Sequence, residues 1–151
     1  MAEIEIYQEE QEVNEGEIRT KIGQILGLLG KSECAISCAF VSLERIRELN
    51  RTYRMIDEST DILSFSPGDT HDIFNLEDPS YLGDLVISLA TVQENCQYFG
   101  VEESEELTRV LVHGILHLLG WEHATNSKDE AMLIKQEEIL GLLKGVGGEF
   151  G

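Results

Sequence analysis

Positive charge is what this chain has least of for its size. Lys and Arg number 11 against 29 Asp and Glu, a formal net charge of -18. A surface that negative repels phosphate, so a broad basic face for nucleic acid is excluded and any such contact must be local. Cysteine is scarce and odd in number: Cys34, Cys38 and Cys96, too few for a disulfide framework. On an extended strand Cys34, Ile36, Cys38 and Phe40 share one face, which assigns these thiols to packing rather than to a second metal site. No apolar run approaches the roughly 20 residues of a membrane span. The start, Met1-Ala2-Glu3-Ile4-Glu5-Ile6, lacks the basic-then-apolar pattern of a secretory leader. The expectation is a cytoplasmic protein with no membrane partner. At 151 residues the expectation is one domain, 1–151.

Histidine is also scarce, and its placement is the informative part. Three of the four histidines fall in His113-Gly114-Ile115-Leu116-His117-Leu118-Leu119-Gly120-Trp121-Glu122-His123. Positions i and i+4 of a helix share a face, so His113 and His117 can aim two imidazoles at one point. Gly120 can take the left-handed conformation that ends a helix, bringing His123 back as a third ligand. Three histidines leave a tetrahedral zinc one open position, the arrangement of a catalytic site, with one zinc expected per chain. A water at such a position ionises near neutral pH, which suits hydrolysis of an ester, amide or phosphodiester. The spacing is that of the long zinc-protease signature, H-E-x-x-H-x-x-G-x-x-H, but Gly114 stands where the protease needs its glutamate base. Glu122, beside a ligand, can act as base or orient one; it can equally be a solvated carboxylate at a turn.

The rest of the chain reads as an α+β domain, a small mixed sheet of about four strands packed with about five helices. A strand over 3–7 precedes a helix capped by Asn14 and closed by Gly30. A strand over 34–42 leads to Ser42, the cap of a helix to Tyr53. A third strand, 60–66, stops at Pro67-Gly68. The polar loop 67–81 holds the fourth histidine, His71, read as solvated. Residues 82–87 form the fourth strand; Ser88 caps a helix to Phe99 that Gly100 ends. Ser104 is expected to open the histidine helix, with Glu105 and Glu106 in its first turn favouring the dipole. Ser127 and Glu130 make a capping box for a last helix with Met132, Leu133, Gln136, Ile139, Leu140 and Leu143 along it, and 145–151 reads as a frayed tail. Four of the basic residues cluster at Arg45, Arg47, Arg51 and Arg54. On a helix Arg47, Arg51 and Arg54 share a face, available either to RNA phosphates or to ion pairs with Glu44 and Glu48.

His113–His123 resembles the HGxLHLxGYDH motif of the YbeY-type endoribonucleases. Leu49-Asn50-Arg51-Thr52-Tyr53-Arg54 resembles that family's LN-x-x-Y/W-R segment. Thr60-Asp61-Ile62-Leu63-Ser64-Phe65 is similar to its TDVLSF block, Leu82-Gly83-Asp84-Leu85-Val86-Ile87-Ser88 to its GDI-x-IS block, and Met132 with the glutamates after it to an M-x-x-x-E run. Order and spacing agree over nearly the whole chain. Three positions depart: Trp121-Glu122 for Tyr-Asp, Ser59 for a common Pro, and Ser66 where Pro often follows Phe. None removes a metal ligand; the first puts a longer carboxylate beside the site. The resemblance implies a zinc-dependent, single-strand-specific endoribonuclease acting in 3′-end maturation of small-subunit (16S) ribosomal RNA and in ribosome quality control. Its partners would be single-stranded RNA and the ribosome or its assembly proteins. It implies His113, His117 and His123 as zinc ligands and Arg54 as an essential residue of the cleft. Arg47 and Arg51 are candidate RNA contacts. Two other readings stand beside it: a zinc hydrolase of peptide or small-molecule amide bonds, and a non-enzymatic ribosome-assembly factor with a structural zinc.

Overall fold

Alternation along residues 35–40 places Ile36, Cys38 and Phe40 in the core and leaves the residues between them half-buried, as a strand with one helix-covered face requires. In the computed structural model, which describes residues 3–9, 13–67, 80–122 and 130–146, the elements run β1 (Glu3–Gln8), α1 (Glu15–Leu28), β2 (Ala35–Phe40), α2 (Leu43–Arg54), β3 (Ile62–Phe65), β4 (Tyr81–Ile87), α3 (Leu89–Phe99), α4 (Glu103–Leu118) and α5 (Ala131–Val146). The sheet order is β1-β2-β4-β3. β1, β2 and β4 are mutually parallel, and β3 lies antiparallel to β4 at one edge, so the mixed α+β sheet expected from the sequence is present.

The two faces of the sheet are covered unequally. Ile36, Cys38, Phe40, Leu85 and Ile87 pack with residues of α1, α3, α4 and α5 in the main core. On the opposite face Ile46 of α2 packs with Leu63, Phe65 and Val86 in a smaller cluster. Local chemistry sets the helix ends. The side chains of Asn14, Ser42 and Ser88 accept the backbone N–H groups of Glu17, Arg45 and Thr91 at 3.0, 3.1 and 3.2 Å, as N-caps do. Gly30 and Gly100 follow α1 and α3 with positive φ.

Several boundaries differ from the sequence reading. α4 opens at Glu103, with Glu102 in the cap position and no side-chain cap bond; Ser104 is already inside the first turn, where its hydroxyl receives the Lys21 ammonium at 3.0 Å. β3 begins at Ile62 and ends at Phe65, leaving Thr60, Asp61 and Ser66 outside the strand. β2 ends at Phe40, before Val41 and Ser42. α5 continues through residues 145 and 146, which were expected to fray. Ser127, His71 and most of loop 67–81 lie outside the described residues, as does 147–151. No described helix is long and apolar enough to cross a membrane.

Candidate metal and RNA site

α4 carries Leu107, Val110, Leu111, Ile115 and Leu116 into the core, and that apolar stripe fixes which way its other face looks. The helix ends as its glycine dictates. Gly120 sits at φ 95°, its N–H donates to the His117 carbonyl at 3.0 Å, and the Trp121 N–H donates to the Leu116 carbonyl at 3.0 Å. This pair of bonds is a Schellman motif. The chain therefore turns just where a third histidine is needed, although His123 itself lies outside the described residues.

His113 and His117 are half-buried, one turn apart, with ring centroids 4.7 Å apart. Their Nε2 atoms approach to 3.2 Å. Two nitrogens bound to one tetrahedral zinc at ~2.05 Å stand about 3.3 Å apart, so the pair already has the spacing of two ligands of a single ion. Among the described residues no group of three or more His, Cys, Asp or Glu converges on one point. The two imidazoles fit two ligands of one ion; His123, the third ligand expected from the sequence, lies outside the described residues.

Gly114, where the protease would have its glutamate, is closely packed. A β-carbon there would lie 2.4 Å from Ile62 Cδ1, 2.8 Å from Leu85 Cδ2 and 3.3 Å from Ser64 Oγ. α4 rests directly on β3 and β4 at this residue, and a side chain there would have to displace the ends of Ile62 and Leu85. The same contact ties the histidine helix to a third element. Ser64 Oγ donates to the Gly114 carbonyl at 3.1 Å, while the Ser64 carbonyl accepts from Arg54 Nη2 at 2.6 Å. Arg54, the last residue of α2, also lies over the Phe65 ring, 4.9 Å from its centroid.

Arg54, Asp61, Ser64, His113, His117 and Glu122 line one cavity of about 690 Å³. Two imidazoles, one guanidinium and two carboxylates thus share a single open space. On the same helix as the two histidines, Glu106 is buried, only 8% exposed. Burial pushes its carboxyl above the usual range, the Arg109 guanidinium pulls it back, and the charge of Asp61 pushes it further up. Arg47 and Arg51 do not line this cavity. Arg47 Nε donates to Asp57 Oδ1 at 2.9 Å on the surface. That bond, then the charge behind it, holds the Asp57 carboxyl below its ordinary value, with Arg51 adding to the effect. The ion pair anticipated on the arginine face is present, but with Asp57 rather than Glu44 or Glu48.

Among the cavity and support residues, Asp61, Ser64 and Gln136 had no role in the sequence reading. Gln136 is the one with a visible signal, a polar residue among the apolar positions of the last helix. It is 7% exposed, and its Oε1 lies 2.7 Å from His113 Nδ1.

Comparisons with known proteins give the family. A family profile described as Endoribonuclease YbeY matches residues 3–144. A Bacillus cytotoxicus protein named endoribonuclease YbeY is 38% identical, with 91% of this chain and 94% of that one covered. A Treponema denticola protein of the same name is 43% identical over 79% of this chain and 77% of that one. The solution structure of a Thermotoga maritima protein aligns with a TM-score of 0.63 at 26% identity, covering 95% of this chain and 91% of that one. A profile match over nearly the whole length, with relatives of this identity and coverage, places the chain in the YbeY endoribonuclease family of RNA-cleaving hydrolases.

Proposed function

We propose that the chain is a zinc-dependent, single-strand-specific endoribonuclease that matures the 3′ end of small-subunit ribosomal RNA and serves ribosome quality control in the cytoplasm. On this reading it works with the ribosome or its assembly proteins. The observation that supports it most is the 3.2 Å convergence of the His113 and His117 Nε2 atoms in a cavity that also holds Arg54. His113, His117 and His123 would hold the ion, which when bound supplies Lewis acidity to water and phosphodiester. The protein's own groups do the rest. Arg54 presents a planar guanidinium suited to gripping phosphoryl oxygens as negative charge gathers on them. Its bond to the Ser64 carbonyl and its seat on Phe65 aim that fork. Glu122 lines the same cavity and can hold a proton for the attacking water or the leaving oxygen. Arg47 and Arg51 extend positive charge along α2 toward RNA outside the cavity.

Peptide hydrolysis by the zinc-protease route lacks its general base, because Gly114 stands where that route needs its glutamate. The test is metal analysis with an RNA assay. About one zinc per chain is expected, released as pH falls below roughly 6, since histidine must be neutral to ligate. His117→Ala should abolish cleavage of single-stranded RNA. Full zinc retention in His113→Ala/His117→Ala would overturn the site.

A further inference from the structure

Buried polar side chains need partners, and the partner identifies the task. Among the described residues four polar side chains are classed as buried: Asn50, Ser88, Glu106 and Gln136. Ser88 caps α3. Asn50 Nδ2 donates to the Glu58 carbonyl at 3.0 Å, pinning the loop after α2. Glu106 faces Arg109 at 3.8 Å. Gln136 reaches across from α5 to His113, Oε1 to Nδ1 at 2.7 Å. Met132, Leu140 and Leu143 of the same helix are in the core, so an apolar residue at 136 would satisfy packing alone.

We propose that Gln136 is a positioning residue: it fixes the His113 ring with the proton on Nδ1, so that Nε2 turns its lone pair to the cavity. A neutral imidazole has one N–H and one acceptor nitrogen, and the bond made by one nitrogen decides the other. With the amide oxygen against Nδ1, Nδ1–H donates and Nε2 is left as the acceptor, the nitrogen that faces His117 at 3.2 Å. The opposite amide orientation would put the proton on Nε2 and close the site to a metal. A second contact sets the angle of presentation. Arg109, one turn before His113 on α4, pairs with Glu137, the neighbour of Gln136 on α5. That ion pair and the Gln136–His113 bond clamp the two helices at adjacent levels. Partners of this kind on a ligating histidine change metal affinity by 10–100-fold when removed.

The inference rests on the zinc reading above, and the experiment separates the two. In metal-free protein near pH 8, long-range ¹H–¹⁵N NMR reads the His113 tautomer directly; zinc affinity comes from chelator competition. Wild type should show the Nδ1–H form. Gln136→Met, which keeps the volume but not the acceptor, should lose that fixed tautomer and bind zinc 10–100-fold more weakly. Gln136→Glu, which restores an acceptor, should recover both. An Nε2–H tautomer in wild type, or a Met variant with unchanged tautomer and affinity, would overturn the proposal. If the Met variant does not fold, the wild-type spectrum decides. A fixed Nδ1–H tautomer in a wild-type protein that takes up no zinc would sustain the role of Gln136 and overturn the metal reading.

Discussion

Ile62 fills the space that any side chain at position 114 would need: its Cδ1 lies 2.4 Å from where a β-carbon on Gly114 would stand. The helix that carries both histidines is therefore set at its distance from the sheet by the absence of one methyl group. Gly114→Ala should lower stability by about 1–3 kcal/mol, the cost of forcing a methylene-sized group into a filled core, despite alanine being the better helix former. It should also weaken metal uptake, because lifting α4 off β3 moves His113. Urea denaturation and zinc titration check both. Wild-type values for the two would mean that Ile62 and Leu85 give way freely.

Arg54 is held by the same assembly, through Ser64, whose carbonyl it grips and whose hydroxyl reaches Gly114. Arg54→Lys keeps the positive charge but loses the fork. Its zinc content and fold should be unchanged while RNA cleavage falls by roughly 10²–10³, the effect of deleting one transition-state donor. Near wild-type cleavage by Arg54→Ala with unchanged zinc would remove Arg54 from the chemistry and leave it a binding role.

What the sequence made legible was chemistry that acts within one turn of chain. Asn14, Ser42 and Ser88 cap because a side-chain oxygen three residues before an N–H reaches it. His113 and His117 converge because i and i+4 share a face, and Gly120 turns the chain because it alone there tolerates φ 95°. Ser104 misled the reading because the helix opens one residue before it, with Glu102 in the cap position, while its hydroxyl accepts from Lys21 of α1, 83 positions away in sequence. The order β1-β2-β4-β3, the seat of Gly114 on Ile62 and the bond of Gln136 to His113 are likewise pairings between distant segments. Nothing local in the sequence encodes them. Gln136 came nearest to being legible, as a polar residue on an apolar helix face, and the partner it needed was visible only in three dimensions.

Asp57 bonds Arg47 and lies in the field of Arg51; if these arginines meet RNA phosphates as proposed, Asp57 competes for the same charges. Asp57→Asn should tighten binding of single-stranded RNA at low salt without changing the melting temperature, because the pair lies exposed on the surface. The double variant Arg47→Gln/Arg51→Gln should reduce the slope of log K against log salt by about one unit for each arginine that contacts phosphate. An unchanged slope would leave both as surface ion pairs and place RNA binding in the cavity alone.

Glu106 gives the pH prediction. Its carboxyl is pushed above the ordinary range, chiefly by burial, with Arg109 opposing and Asp61 reinforcing the shift. The folded protein therefore holds this proton more tightly than the unfolded chain does. Stability must fall as pH rises from the unfolded carboxyl pKa, about 4.3, through the higher folded value. Above that window the ionised group is a net burden on the fold, and below it there is none. Glu106→Gln keeps the shape and removes the titration. The variant should melt higher than wild type at neutral pH, and the difference should shrink to nothing as pH falls toward 4. Its zinc affinity should stay near wild type, since Glu106 is not among the residues lining the cavity. Paired melting curves from pH 4 to 8 decide the matter: a variant less stable than wild type at neutral pH would show that the ion pair with Arg109 outweighs the cost of burying the charge.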